Sequence, residues 1–156
     1  MTTPIYYNFQ QRFNVPAREA FEWCTTYTPE DYTLMGEKVI RREIEHITDR
    51  TVILTDTFDV GTENQIEKQK LVQLYPNLLF WTSTHISGPG KHSQFIYQIT
   101  AESDSISNLD FTGLFLYYGN KKISEAHTAK LVEKTCNEDA RVWELLAKAM
   151  EQELLC

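Results

Sequence analysis

Between residues 37 and 118 the chain has little choice of architecture. Six segments, 37–47, 51–60, 64–74, 77–86, 91–101 and 106–118, are rich in Val, Ile, Thr, Tyr, Phe and Trp. The pieces between them are turn-like and short: Thr48-Asp49-Arg50, Gly61-Thr62-Glu63, Tyr75-Pro76-Asn77, Ser87-Gly88-Pro89-Gly90 and Glu102-Ser103-Asp104-Ser105. Parallel strands need a crossover of about a dozen residues or more, so connectors this short predict hairpins and a six-strand antiparallel meander. Gly119-Asn120 ends it.

The flanks complete an α+β order. Ile5, Tyr7 and Phe9 alternate with Tyr6, Asn8 and Gln10, and Phe13 and Val15 rejoin the apolar set, which predicts a half-buried strand over 4–14. Pro16 forces Val15 into an extended conformation and ends that strand. Asn14 has the side chain of a helix cap, and Ala17, Ala20, Phe21 and Cys24 follow at helical spacing. Phe21 and Trp23, two apart on a helix, cannot share a face, so at most one points inward. A second short helix is predicted over Pro29–Leu34, with Thr28 as its cap, Glu30 and Asp31 in its first turn and Gly36 closing it.

Residues 121–155 form the last helix, with an apolar stripe of Leu131, Val142, Leu145, Leu146, Ala149 and Met150. Thr135-Cys136-Asn137-Glu138 has the form of a capping box, so two helices meeting there and one continuous helix both fit. The first strand must join the meander, because an isolated strand leaves its backbone groups unsatisfied. The expected fold is therefore a curved seven-strand antiparallel sheet wrapped around a long C-terminal helix, with two short helices after the first strand and one domain over 1–156.

Charge and cysteine usage narrow the function classes. The formal charge of −7 is spread along the chain, and the only adjacent basic residues are Arg41-Arg42 and Lys121-Lys122. Nucleic-acid binding needs a positive footprint and is disfavoured. Three cysteines, Cys24, Cys136 and Cys156, lack metal or redox spacing and suit a reducing compartment. The start MTTPIYYNFQ lacks the charged and apolar regions of a signal peptide, and no apolar run approaches the ~18 residues that span a bilayer. The expectation is a cytoplasmic monomer or homodimer without stable membrane insertion.

Three stretches carry a resemblance. FNVPAREAFEWC resembles the strand-to-helix opening of the START-like superfamily, also called SRPBCC, whose fold is the helix-grip fold. Tyr75-Pro76-Asn77-Leu78-Leu79-Phe80-Trp81 is similar to the proline-bounded strand in the middle of that family's sheet. Val142-Trp143-Glu144-Leu145-Leu146 resembles its closing helix, which often carries a Trp. The resemblance spans essentially the whole chain. It implies a cavity between sheet and helix for lipids, sterols, quinones, polyketides or other apolar small molecules, in a superfamily that includes transfer proteins, aromatase/cyclases and chaperone activators. A fold with so many activities does not choose among them.

Alternation proposes the inward side chains. Leu79, Trp81, Ser83 and His85 share one side of segment 77–86, and Phe95, Tyr97 and Ile99 share one side of segment 91–101. Leu109, Phe111, Gly113, Phe115 and Tyr117 do so on 106–118, and Trp143, Leu146 and Met150 recur on one side of the last helix. The ligand-lining set drawn from these is Leu79, Trp81, His85, Phe95, Tyr97, Phe111, Phe115, Tyr117, Trp143, Leu146 and Met150. A lining of aromatic rings with a few polar tips suits a small-molecule pocket; the same side chains also suit a solid core.

Among titratable residues His85 stands out, because it ends an otherwise apolar inward set. With an ordinary pKa of ~6.5 it suits general acid or base work, or else lies solvated beside the Ser-Gly-Pro-Gly turn. No catalytic residue is assigned beyond this weak candidate. His85 and His92 flank one hairpin but lack a third ligand, so no metal and no cofactor is expected. SGPGK is not a phosphate loop, since Lys91-His92-Ser93 opens a strand rather than a helix. Asp56 and Asp59 fall on opposite strand faces and cannot act together, and Glu43 with Glu45 reads as a solvated strip. One of Arg41 and Arg42 points inward, and spacing does not say which.

Binding of a hydrophobic or amphipathic small molecule without turnover is the leading expectation. A cyclase/dehydratase-type enzyme acting on an apolar carbonyl compound through His85, Tyr97 or Arg42 is the second. An interaction module such as a chaperone activator is the third.

Overall fold

The computed structural model describes every residue except Gly36, Glu37 and Thr62. Its elements run β1 (Thr2–Phe13), α1 (Ala17–Thr25), a 3₁₀ segment (Pro29–Leu34), β2 (Val39–Thr48), β3 (Thr51–Phe58), β4 (Ile66–Tyr75), a 3₁₀ turn (Pro76–Leu78), β5 (Phe80–Ser87), β6 (Gln94–Ala101), β7 (Ser107–Tyr118) and α2 (Glu125–Leu155). The seven strands form one antiparallel sheet in the order β1-β7-β6-β5-β4-β3-β2, the expected meander closed at one edge by the first strand. β1 pairs with β7 without interruption from Thr2↔Tyr118 to Phe13↔Ser107.

Period two then decides what faces α2. Ile5, Tyr7 and Phe13 on β1, Val52 and Leu54 on β3, Val72 on β4, Trp81 on β5, Phe95 and Ile99 on β6, and Leu109 and Phe111 on β7 are buried in one core. Ala17, Ala20 and Phe21 of α1 close one end of it, and Ala147 and Met150 of α2 pack from above. Phe21 is the buried member of the pair on α1, while Trp23 is half-buried with its indole N–H donating to Glu153 at 2.7 Å. β1 and β7 approach closely at one point, where a Cβ on Gly113 would sit 2.5 Å from Tyr7 Cζ. Only glycine leaves room for the Tyr7 ring to lie across the strand.

Several boundaries differ from the expected ones, each for a local reason. Pro16, not Asn14, holds the N-cap position of α1; its carbonyl accepts the first helical bond from Ala20 N–H at 2.9 Å, and Asn14 N–H is bound instead to Glu151. Pro29–Leu34 is a six-residue 3₁₀ segment rather than an α-helix, opened by a capping box between Thr28 and Asp31. The expected closing role of Gly36 lies outside the described residues. β5 begins at Phe80, because Pro76–Leu78 forms a 3₁₀ turn that leaves Leu79 in the left-handed region at φ 51. Lys91-His92-Ser93 belongs to the turn and not to β6, as His92 has φ 70 and its N–H binds back to the His85 carbonyl at 2.6 Å. α2 is capped by Ser124, whose hydroxyl accepts from His127 N–H, and it runs unbroken through Asn137. The Thr135 box is not used, because the side chains around it are needed on the sheet: Cys136 packs on the core and Asp139 bonds to Tyr7.

Candidate functional site

The face covered by α2 has two chemically distinct halves. On β5, β6, β7 and β1 it is aromatic. Trp81 is 1 % exposed and stacks on Tyr97 with centroids 4.7 Å apart and planes 1° from parallel. Tyr97 meets Phe111 edge-on at 5.2 Å, and Phe95 lies between Phe111 at 5.9 Å and His85 at 4.9 Å. From α2 the Trp143 ring reaches Tyr97 at 5.8 Å and Trp81 at 6.5 Å. Each such pair contributes ~0.5–1.5 kcal/mol beyond the area it buries.

On β2, β3, β4 and β5 the same face carries a polar row beside its apolar core residues. Arg42 is 6 % exposed and Asp56 fully buried, and cross-strand register places them opposite each other. The guanidinium grips the carboxylate through Nε at 2.7 Å and an NH2 group at 2.8 Å. The ring of Tyr27 lies 5.9 Å from it, Met35 sulfur accepts from it at 3.0 Å, and Asp31 of the 3₁₀ segment stands at 3.7 Å. Lys70 adds a third contact to Asp56 at 3.2 Å. Burial alone would raise the Asp56 carboxyl, but the Arg42 hydrogen bonds and the Lys70 charge outweigh it and hold the group below the ordinary carboxylate range. Register continues the row, since Lys70 pairs with His85 on β5.

His85 is 7 % exposed, and its Nδ1 has no hydrogen-bond partner among the described residues. Burial, reinforced by the charges of Lys70 and Lys68, lowers its pKa to about 3. The imidazole is therefore neutral: a hydrogen-bonding group, and a poor proton donor. As pH falls below about 6.5, the unfolded chain takes up a proton that the folded chain refuses until about pH 3. This group consequently reduces stability on acidification, by up to about 1.4 kcal/mol per pH unit across that window. His85→Gln is expected to flatten stability between about pH 6 and about pH 4.5, read from denaturant midpoints. Parallel pH slopes for the two proteins would show that the imidazole is not held neutral.

A last contact links helix to sheet. The Tyr7 hydroxyl donates to Asp139, and burial first, then the Asp139 charge, pushes that phenol far above its ordinary range. The Asp139 carboxyl is itself raised by burial, against the pull of Tyr7 and the lysines.

The expected site residues distribute unevenly. Trp81, Phe95, Phe111 and Met150 are core, while Tyr97, Phe115, Tyr117, Trp143 and Leu79 pack on it half-buried. Leu146 is half-buried, and the fully buried neighbour is Ala147. On a helix Leu146 lies about 60° from Trp143, at the edge of the covered stripe, whereas Ala147 and Met150 flank its centre. Arg42 is the inward arginine and Arg41 is exposed. Asp59 and Asp56 separate as expected: Asp59 is exposed and caps Gly61 N–H at 2.9 Å. His92 is exposed, and no group of three or more His, Cys, Asp or Glu placed to hold a metal occurs among the described residues.

Lys68, Lys70, Tyr7 and Asp139 were not singled out from sequence. The signal for the lysines was their two-residue spacing from Val72 and Leu74, which puts all four on one face. Asp139 stands four residues before Trp143, on the same helix face.

Comparison with known proteins places this architecture. No family model and no curated protein sequence matches the chain. Among solved structures it is similar to the Zhui aromatase/cyclase from Streptomyces sp. R1128, with 11% identity, TM-score 0.77, and 97% of this chain and 96% of that one covered. The chain has the helix-grip fold. The same fold appears in a norcoclaurine synthase from Thalictrum flavum in complex with dopamine and hydroxybenzaldehyde, at 12% identity, TM-score 0.68, and 99% and 88% coverage. It appears again in Ara h 8.0201, at 12% identity, TM-score 0.68, and 96% and 99% coverage. In this helix-grip chain, among the described residues, no helix is long and apolar enough to cross a membrane.

Proposed function

We propose that the protein binds an amphipathic small molecule between the inner face of the sheet and the first half of α2, without turning it over. The observation that carries this reading is the gradient of burial along the helix. Ala147 and Met150, in its second half, are buried in the core. Leu131, Val132 and Cys136, in its first half, remain only half-buried, as do Phe9, Tyr97, Phe115 and Tyr117 on the sheet beneath. A row of inward aromatic side chains that the helix covers only in part offers apolar area to a guest, with ~25 cal/mol per Å² as the driving force. Absence of turnover is supported by His85, which is held neutral and whose Nδ1 has no partner among the described residues to orient it as one half of an acid–base pair. Aromatase/cyclase and norcoclaurine synthase neighbours on the same fold support an apolar, ring-bearing guest by analogy only.

The test is a titration with the neutral apolar probe N-phenyl-1-naphthylamine, together with native mass spectrometry of the purified protein. Saturable one-to-one binding that quenches Trp81 and Trp143 emission is expected. A protein that takes up no probe and carries no small molecule would overturn the reading.

A further inference from the structure

The polar half of the inner face contains one cation more than its neighbouring acids pair. Arg42 is matched by Asp56 and Asp31, and Lys70 by Asp56. Lys68, two residues from Lys70 on the same face, has no carboxylate within ion-pair distance among the described residues; its ammonium lies 4.9 Å from the Phe58 ring centroid. Asp139, from α2, is the remaining acid that acts on Lys68, and it does so from beyond ion-pair distance while bonded to Tyr7. Register sets Lys70 directly opposite His85, and Lys68 stands two residues further along the same face of β4, so the two lysines and the imidazole share one neighbourhood. There the buried Nδ1 of His85 has no hydrogen-bond partner among the described residues.

We propose that Lys68, Lys70 and His85 form a subsite for the carboxylate of the bound molecule, whose apolar body lies on the aromatic half. This rests on the binding reading above and adds the class of ligand to it. A monoanion matches the single unpaired ammonium. A carboxylate accepts from Lys68 and, with its second oxygen, from the free imidazole nitrogen as an N–H donor; Lys70 is already anchored by Asp56 and contributes charge. Burial lowers both lysines from their ordinary range, Lys68 further through Lys70, which is the environment of a site that gains from receiving a negative charge.

The experiment compares decanoate with decan-1-ol as competitors of N-phenyl-1-naphthylamine, at about pH 7.5 where decanoate is ionised. Wild-type protein is expected to prefer decanoate by about tenfold or more, equivalent to ~1.4 kcal/mol. Lys68→Gln should remove most of that preference by weakening decanoate far more than decan-1-ol, and Lys68→Arg should retain it. Decanoate should also move the ¹⁵N resonance of His85 Nδ1, which decan-1-ol should not. Equal affinity for the two competitors overturns the subsite while leaving the binding reading intact. A preference that survives Lys68→Gln overturns the assignment to these residues. Failure to bind the neutral probe at all overturns the binding reading, and this subsite with it.

Discussion

Asp56→Asn is expected to cost about 3–5 kcal/mol of stability, a third or more of what a domain of this size usually has. The carboxylate is fully buried and receives two guanidinium bonds and one ammonium. An amide keeps the shape and removes the charge, so Lys70 loses its counter-ion and the buried Arg42 keeps only Asp31 at 3.7 Å. Most of the cost is that penalty, not the loss of hydrogen bonds as such. Arg42→Met should cost less, because Asp56 keeps Lys70. The ordering is therefore as diagnostic as the magnitude. Guanidinium chloride midpoints with an unchanged m-value measure both. A cost under about 1 kcal/mol for Asp56→Asn, or a larger one for Arg42→Met, would show that the row is not held by this carboxylate. Because the Asp56 carboxyl is held below its ordinary range, its contribution is present above that range and is lost as pH falls through the lowered value. The His85 window opens at higher pH, so acidification weakens the protein in two stages, histidine first.

This charged row also marks where the sequence stopped being readable. The meander and its order were legible because hairpin connectors leave no other pairing, and the strand-to-helix passage at Pro16 was legible because proline has so few conformations. The arginine question was not. Val39 and Arg42 are both buried though three residues apart, since β2 shifts register between Val39 and Arg41. A strict count of two from Val39 would have turned Arg41 inward. A bulge is not written in side-chain alternation, and it reverses every assignment beyond it. Lys68 and Lys70 were passed over for a different reason. Lysine on a strand is ordinarily solvated, and only Asp56 on the neighbouring strand makes it worthwhile to bury one. That partner is set by pairing across strands, which a linear reading does not hold. Asp139 was passed over because its reason for facing inward, the Tyr7 hydroxyl, comes from the opposite end of the chain. Aromatic residues of the site were the easiest to place, as their period-two spacing and their burial agree.

Trp81→Ala is expected to cost about 3–5 kcal/mol as well, and by a wholly apolar route. Trp81 is 1 % exposed and its ring meets Phe21 of α1 edge-on at 5.7 Å, Tyr97 of β6 face-on at 4.7 Å and Trp143 of α2 at 6.5 Å. One side chain thus joins both helices to the sheet, and no neighbour is free to collapse into its place: Tyr97 is fixed by Phe111, Phe21 by its own helix, and Leu74 by register opposite Trp81. The residual cavity then adds to the lost transfer energy. Trp143→Ala should cost clearly less, because that ring is only half-buried. The two substitutions should part in the other direction on binding. Trp143 lies at the border between the tightly packed second half of α2 and the loosely covered first half, so its removal should alter probe affinity more than Trp81→Ala does per unit of stability lost. Chemical denaturation gives the first comparison, and in Trp143→Ala the near-ultraviolet circular dichroism of the stacked Trp81–Tyr97 pair reports whether the core survives. If Trp81→Ala costs no more than Trp143→Ala, the packed end of the interior is not centred on Trp81, and the division of this fold into a rigid end and a receptive end fails with it.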